Sequence, residues 1–123
     1  MNTTPKTAVL IPCFNEEATV AQVVKDFRRS LPEAKIFVYD NNSTDRTVEV
    51  ARNAGAVVRT EPLQGKGNVV RRMFADIEAE VYVLVDGDAT YDAAAAPGMI
   101  KLLADNQLDM VNGARVTDIK EAY

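Results

Sequence analysis

Short apolar runs recur along the chain and are separated by longer segments of mixed character. Five of these runs have the length and composition of strands: Thr7–Ile11, Lys35–Tyr39, Ala56–Thr60, Val81–Val85 and, near the end of the chain, Asp109–Asn112. The run Val81–Val85 is apolar at every position. That pattern predicts a strand buried on both faces at the centre of a sheet.

The segments between these runs have the periodicity of amphipathic helices. From Glu17 to Leu31, apolar side chains recur three and four residues apart, and Pro32 ends the pattern. A second helix is expected from Ser43, a candidate N-cap residue, to Gly55, a candidate stop. A third helix, starting at Asn68, and a fourth, over Ala95–Asn106, complete the order. The third has an apolar face of Val69, Val70, Met73, Phe74 and Ile77.

Strands that alternate with helices of this length are typical of βαβ units, whose strands run parallel and whose helices cover both faces of the sheet. The sequence therefore predicts an α/β fold with a mostly parallel sheet. No internal repeat, low-complexity tract or linker interrupts the pattern, so we expect one domain over residues 1–123.

Composition excludes several kinds of chemistry. The 123 residues include no His and one Cys, Cys13, which excludes a His base, a His-ligated zinc site and an internal disulfide. A net charge of −4 argues against nucleic-acid binding. No apolar run approaches the roughly 18 residues of a membrane-spanning helix, and the first residues lack the apolar core of a signal peptide. We therefore expect a cytoplasmic location and chemistry based on carboxylates, cationic side chains, hydroxyls or a hard metal ion.

Polar residues are concentrated where the predicted strands end. In an open parallel sheet, ligands bind beyond the carboxyl ends of the strands. The segments that follow four consecutive strands are rich in acids, amides and glycines: residues 12–17, 40–45, 64–67 and 86–88. Any one of them is explained by an ordinary exposed loop, but their coincidence indicates a binding site.

The segment Asp86-Gly-Asp88 is the sharpest of these elements. Two carboxylates at the end of an apolar strand repel each other unless a cation bridges them. Hard oxygen ligands in a small loop suit Mg²⁺ or Mn²⁺, which complete their coordination with water and substrate phosphates. A solvated Asp-Gly turn explains the tripeptide equally well.

Two further positions could bind parts of a nucleotide. The segment Gln64-Gly-Lys-Gly67 precedes a helix, so its backbone N–H groups and Lys66 could contact an anion, although it matches no P-loop and could also be a flexible turn. Asp40 could accept from a nucleobase or ribose, or could cap the turn 41–43. Cys13 is expected to be a buried filler rather than a nucleophile.

Taken together, these segments resemble the family-2 glycosyltransferases, inverting nucleotide-sugar transferases of the glycosyltransferase A fold. The matching segments are residues 8–17 (AVLIPCFNEE), 38–47 (VYDNNSTDRT), 65–68 (GKGN) and 83–90 (VLVDGDAT). The branch it resembles most is that of dolichyl-phosphate mannosyltransferase, which transfers a sugar to a polyprenyl phosphate. The resemblance covers nearly the whole chain but only the donor-binding front half of the family's catalytic domain.

The resemblance assigns roles to individual positions. Pro12, Phe14 and Glu16 would line the nucleoside pocket, Asp40 would hold the base, and Lys66 would lie near the donor. Asp86 and Asp88 match the D-x-D motif, which contacts the donor ribose and a Mg²⁺ or Mn²⁺ ion on the diphosphate. The implied donor is a UDP- or GDP-linked sugar, the implied acceptor a polyprenyl phosphate, and the intact protein would then work at a membrane.

The chain also departs from the family pattern. Asn41 replaces the second acid of a frequent Asp-Asp pair. The family's catalytic base lies downstream of this region, so no catalytic residue is assigned; Asp92 and Asp118 are better explained as a helix cap and a surface charge. A domain incomplete at its C-terminus would expose a strand edge, which makes self-association an alternative to the missing half. A non-catalytic nucleotide-binding module and a nucleotidyltransferase-like domain remain as alternative functions.

Overall fold

The computed structural model describes residues 6–88, 92–106 and 109. Within these residues strands and helices alternate: β1 Thr7–Cys13, α1 Val20–Ser30, β2 Lys35–Asp40, α2 Thr47–Asn53, β3 Val57–Thr60, α3 Lys66–Asp76, β4 Val81–Leu84, a 3₁₀ turn Ala93–Ala95 and α4 Ala96–Asp105. The sheet has the order β3-β2-β1-β4, and all pairings are parallel. The predicted α/β fold with a mostly parallel sheet is confirmed.

Strand β1 is the buried centre of the sheet, and its side chains alternate between two cores. Val9 and Ile11 pack with residues of α1 and α2 on one face. Ala8 and Leu10 pack with Val69 and Met73 of α3 on the other face. Helices α1 and α2 therefore cover one face of the sheet, and α3 covers the other. Right-handed crossover connections between parallel strands produce this arrangement.

Helix α2 begins later than predicted. Its first residue is Thr47, and Arg46 rather than Ser43 occupies the N-cap position. The hydroxyl of Ser43 instead accepts a hydrogen bond from the backbone N–H of Asn15, at 2.9 Å. The N-cap prediction for Ser43 is wrong because a contact with the loop after β1 takes the side chain that the local sequence offers to the helix.

Strand β4 is less buried than its apolar sequence predicts. In the described part of the chain it pairs with β1 and forms the outer strand on that side of the sheet. Tyr82 and Leu84 on its outer face are 36% and 45% exposed. Phe74 of α3, predicted to face the core, is 47% exposed and packs edge-on against Tyr82, with ring centroids 4.9 Å apart.

Two expectations stay predictions. The predicted strand Asp109–Asn112 falls almost wholly outside the described residues, and so does part of the single domain expected over 1–123.

Among the helices that are described, none combines the length and apolar character needed to cross a membrane.

Candidate functional site

A cavity of about 350 Å³ lies beyond the carboxyl ends of β1, β2 and β4, beside the loop that leads from β3 into α3. Six of the seven residues predicted to bind nucleotide or metal line it: Pro12, Phe14, Glu16, Lys66, Asp86 and Asp88. Asn41, Gln64 and Gly65 contribute further polar atoms to the same wall. The structure thus brings four separate strand-end segments together around one space, as parallel β-α connections dictate.

The loop after β1 is held in place by the segment that precedes α2. Asn15 has a left-handed backbone with φ of 53°, and its side-chain oxygen accepts from the N–H of Thr44 at 2.9 Å. The N–H of Glu16 donates to the hydroxyl of Thr47 at 2.8 Å. These bonds fix the loop that carries Phe14 and Glu16 into the cavity wall.

The acidic turn after β4 carries most of the negative charge of the site. Asp86 forms an ion pair with Lys66 through its Oδ1 atom. Burial raises the pKa of Glu16, and repulsion by Asp88 raises it further. The carboxylates of Glu16, Asp86 and Asp88 therefore lie within electrostatic reach of one another, which is a surplus of negative charge that favours a cation.

Asp40, the seventh predicted residue, is not part of the cavity lining and is only 3% exposed. Its Oδ2 atom accepts a hydrogen bond from the N–H of Ser43 at 3.0 Å, so it caps the turn 41–43 as one of the two predictions for this residue required. Its Oδ1 atom is buried and accepts no hydrogen bond within the described residues. A buried carboxylate oxygen without a donor is costly, and a ligand N–H could satisfy it.

Asn41 is a site residue whose role the sequence does not reveal. Its side-chain Nδ2 donates to the carbonyls of Glu61 and Leu63, at 2.7 and 2.9 Å. Its Oδ1 accepts from the N–H of Gly65 at 2.8 Å. The one signal in the sequence was that Asn stands where the family often has an acid, and a carboxylate could not make the two donated bonds.

Cys13 is a buried residue of the cavity lining, as expected of a filler residue. Burial raises the pKa of its thiol well above its ordinary value, and the charges of Glu16, Asp40 and Asp86 add to the effect. A thiol in this setting stays protonated and is a poor nucleophile.

The donor set suits a divalent cation that shares its coordination with a ligand. Within the described residues no group of three or more His, Cys, Asp or Glu side chains is arranged to enclose a metal by itself. Mg²⁺ and Mn²⁺ are commonly held by one or two carboxylates together with substrate phosphates. Asp86 and Asp88, in the wall of a cavity large enough for part of a nucleotide, fit that mode of binding.

Comparison with known proteins settles the family. The sequence model described as "Glycosyl transferase family 2" matches residues 8–123, nearly the whole chain. The chain belongs to glycosyltransferase family 2. The resemblance carried by the four strand-end segments is thereby confirmed.

Two relatives illustrate how this family member compares with others. Protein RfbJ of Shigella flexneri is 59% identical over 108 residues, which cover 88% of this chain and 84% of that protein. A dolichyl-phosphate hexose transferase of Haloferax volcanii is 34% identical over 110 residues, covering 89% of this chain but only 48% of the relative. The chain therefore spans about half of the longer enzyme.

Solved structures show the same architecture. Glucosyl-3-phosphoglycerate synthase from Mycobacterium tuberculosis, crystallised with Mn²⁺, UDP-glucose and phosphoglyceric acid, superposes with a TM-score of 0.71 at 26% identity. The match covers 80% of this chain and 39% of the synthase. The fold is thus the glycosyltransferase A fold, of which the described residues form an N-terminal part.

Proposed function

We propose that this chain forms the donor-binding part of an inverting glycosyltransferase that uses a UDP- or GDP-linked sugar and a divalent metal ion. One observation carries the proposal: side chains from four strand ends, including Phe14, Lys66, Asp86 and Asp88, line a single cavity of about 350 Å³. The fold neighbour crystallised with Mn²⁺ and UDP-glucose supports the same ligand class.

The chemistry of the lining divides the cavity into two parts. Phe14 is half exposed beside Pro12 and offers an apolar surface for a nucleobase or ribose. The buried, unsatisfied Oδ1 of Asp40 is the acceptor we propose for a base N–H. Lys66 and the backbone at the start of α3 provide positive potential for a diphosphate.

Asp86 and Asp88 would hold the metal ion, which when bound offsets the charge that develops on a departing nucleoside diphosphate. Lys66 already neutralises part of the charge of Asp86. Lys66, whose four-carbon stem is flexible, would then leave Asp86 and contact the diphosphate.

The acceptor we propose is a polyprenyl phosphate. Support comes from the relative named as a dolichyl-phosphate hexose transferase, which is 34% identical to this chain. The test is to incubate the intact enzyme of which this chain would form the donor-binding part with a dolichyl phosphate, Mn²⁺ and radiolabelled UDP-glucose or GDP-mannose, and to measure label in the organic phase. Label that stays aqueous with both donors, while a water-soluble acceptor such as phosphoglyceric acid is glycosylated, would refute this choice of acceptor.

Donor binding is tested separately by calorimetry. Intact folded protein is titrated with UDP and with GDP, each with and without Mn²⁺. We expect one of the two nucleotides to bind, and to bind at least about tenfold more tightly with the metal, because carboxylates and diphosphate share its coordination. The absence of binding by either nucleotide in the presence of Mn²⁺ would contradict the proposal.

A further inference from the structure

We propose that Thr19 is a positioning residue that holds the Asp86-Gly87-Asp88 turn and thereby sets how tightly its two carboxylates bind a cation. The inference rests on the proposed function of that turn as the metal-binding element. Thr19 is not part of the cavity lining and would act through the backbone of Gly87.

The hydroxyl of Thr19 is engaged in an unusual way for its place in the chain. Thr19 occupies the N-cap position of α1, where a threonine side chain commonly accepts from a backbone N–H of the first helical turn. No such bond forms here. The hydroxyl instead donates to the carbonyl of Gly87 at 2.5 Å, across 68 positions of sequence, while Oε2 of Glu16 is a more distant acceptor at 3.5 Å.

Gly87 lies very close to the end of β1 and to the loop that follows it. A Cβ atom at this position would lie 2.6 Å from Sγ of Cys13 and 3.4 Å from Cγ of Glu16. Gly87 is not among the described glycines with positive φ, so close approach and not backbone conformation requires glycine. The turn is thus held between the end of β1 and the hydroxyl of Thr19.

This arrangement matters because the turn carries charges that repel one another. Asp86 and Asp88 flank Gly87, and Cγ and Cβ of Glu16 lie 3.4 and 3.5 Å from the position of a Cβ at Gly87, so three acidic side chains crowd around this turn. A fixed carbonyl at Gly87 holds the backbone between Asp86 and Asp88 in place against that repulsion. Carboxylates held in place before the cation arrives bind it more tightly than carboxylates that must first be ordered.

The first test uses the full chain titrated with UDP and with GDP by calorimetry, with and without Mn²⁺. Thr19→Val keeps the shape of the side chain and removes the hydroxyl. Thr19→Ser retains the hydroxyl and removes the methyl group. We expect Thr19→Val to weaken metal-dependent binding by roughly three- to tenfold, the loss of one hydrogen bond, and Thr19→Ser to stay within about twofold of wild type. The matched control Thr60→Val makes the same change at an exposed position at the end of β3, outside the cavity lining, and should bind like wild type.

The metal-free titration separates positioning from a merely structural role. Nucleotide affinity without Mn²⁺ should be the same in wild type and Thr19→Val, because the affected carboxylates act through the cation. An equal loss with and without metal, or full affinity in Thr19→Val while the wild type binds, would overturn this inference alone. A wild-type protein that binds neither nucleotide with Mn²⁺ would overturn the proposed function and this inference with it.

A second pair of variants keeps the proposal testable if Thr19→Val fails to fold. Gly87→Ala forces the turn away from Cys13 and should produce the same selective loss of metal-dependent binding. Adding Cys13→Ala removes the sulfur that the new Cβ would meet and should recover at least half of the lost affinity, expressed as the logarithm of Kd. Metal-dependent binding unchanged by Gly87→Ala would contradict the claim that the turn must be held in this place.

Discussion

Lys66 Nζ and Asp86 Oδ1 form an ion pair within the lining of the candidate donor cavity. The pair joins the start of α3 to the turn after β4. Both side chains remain accessible to solvent, so the pair contributes little to folding and is free to rearrange when a ligand arrives. Lys66 can bind the negatively charged diphosphate, whereas Asp86 can bind a cation.

Substituting Lys66 should therefore move two affinities in opposite directions. In Lys66→Gln, Mn²⁺ alone should bind up to about fivefold more tightly, because the ammonium group that competes with Mn²⁺ for Asp86 has been removed. UDP or GDP without metal should bind more weakly, because the anion loses a positive partner. Calorimetry measures both affinities. Lys101→Gln, which removes a lysine paired with Asp105 on α4, is the control and should alter neither. Losses of both affinities together in Lys66→Gln would contradict this account.

Asn41→Asp should destabilise the protein, although it only replaces the side-chain NH₂ group with an oxygen atom. The new carboxylate would face the carbonyls of Glu61 and Leu63, to which Asn41 now donates. We expect a loss of about 1–3 kcal/mol in the free energy of unfolding, measured by urea denaturation. Asn42→Asp is the control: that side chain also donates to a carbonyl, of Pro62, but it is exposed, so water replaces the lost bond. Equal effects of the two substitutions would show that the burial of Asn41 is irrelevant.

Stability should depend on pH through Glu16. Its pKa in the folded protein is raised above the ordinary value of 4.5, chiefly by burial and then by Asp88, so the folded state favours the protonated form. The stability that Glu16 contributes is therefore present below that ordinary value and is lost as pH rises through the raised pKa.

Glu16→Gln should consequently raise the melting temperature at pH 7.5, by about 1–2 °C, and leave it nearly unchanged at pH 4. Differential scanning fluorimetry at the two pH values measures the difference. Glu33→Gln, at an exposed position, should show no such dependence. A stabilisation that is larger at pH 4 than at pH 7.5 would have the wrong sign for a raised pKa.

Cys13 should resist thiol reagents in the folded state. Its burial and its acidic neighbours raise the pKa of the thiol, so the reactive thiolate is scarce at pH 8. Labelling with a disulfide reagent should be at least about a hundredfold slower in buffer than in guanidinium chloride. Rapid labelling of the native protein would mean that the loop over Cys13 opens readily, contrary to the hydrogen bonds that hold residues 15 and 16.

The strand-end location of the site could be predicted because it follows from connectivity alone. Parallel strands joined by helices bring their carboxyl ends to one edge, so Phe14, Lys66 and Asp86 had to approach one another wherever the helices began. The burial of β1 on both faces likewise follows from its continuous apolar run.

Features that depend on contacts between distant segments could not be predicted. The start of α2 is set by a bond between Ser43 and Asn15, and the local sequence offered Ser43 as an N-cap. The hydroxyl of Thr19 finds Gly87, 68 positions away, although its own helix could have used it. In each case more than one backbone group could form a hydrogen bond with the same side chain, and tertiary geometry decides which one does.

The most direct test of the central claim is a crystal structure of the protein with UDP or GDP and Mn²⁺, with anomalous scattering recorded at the manganese edge. We expect an anomalous peak that places a manganese ion roughly 2.1 Å from a carboxylate oxygen of Asp86 or Asp88. The diphosphate should complete the coordination of this ion inside the cavity. A nucleotide ordered away from this cavity, or a manganese ion bound to neither aspartate, would contradict the account.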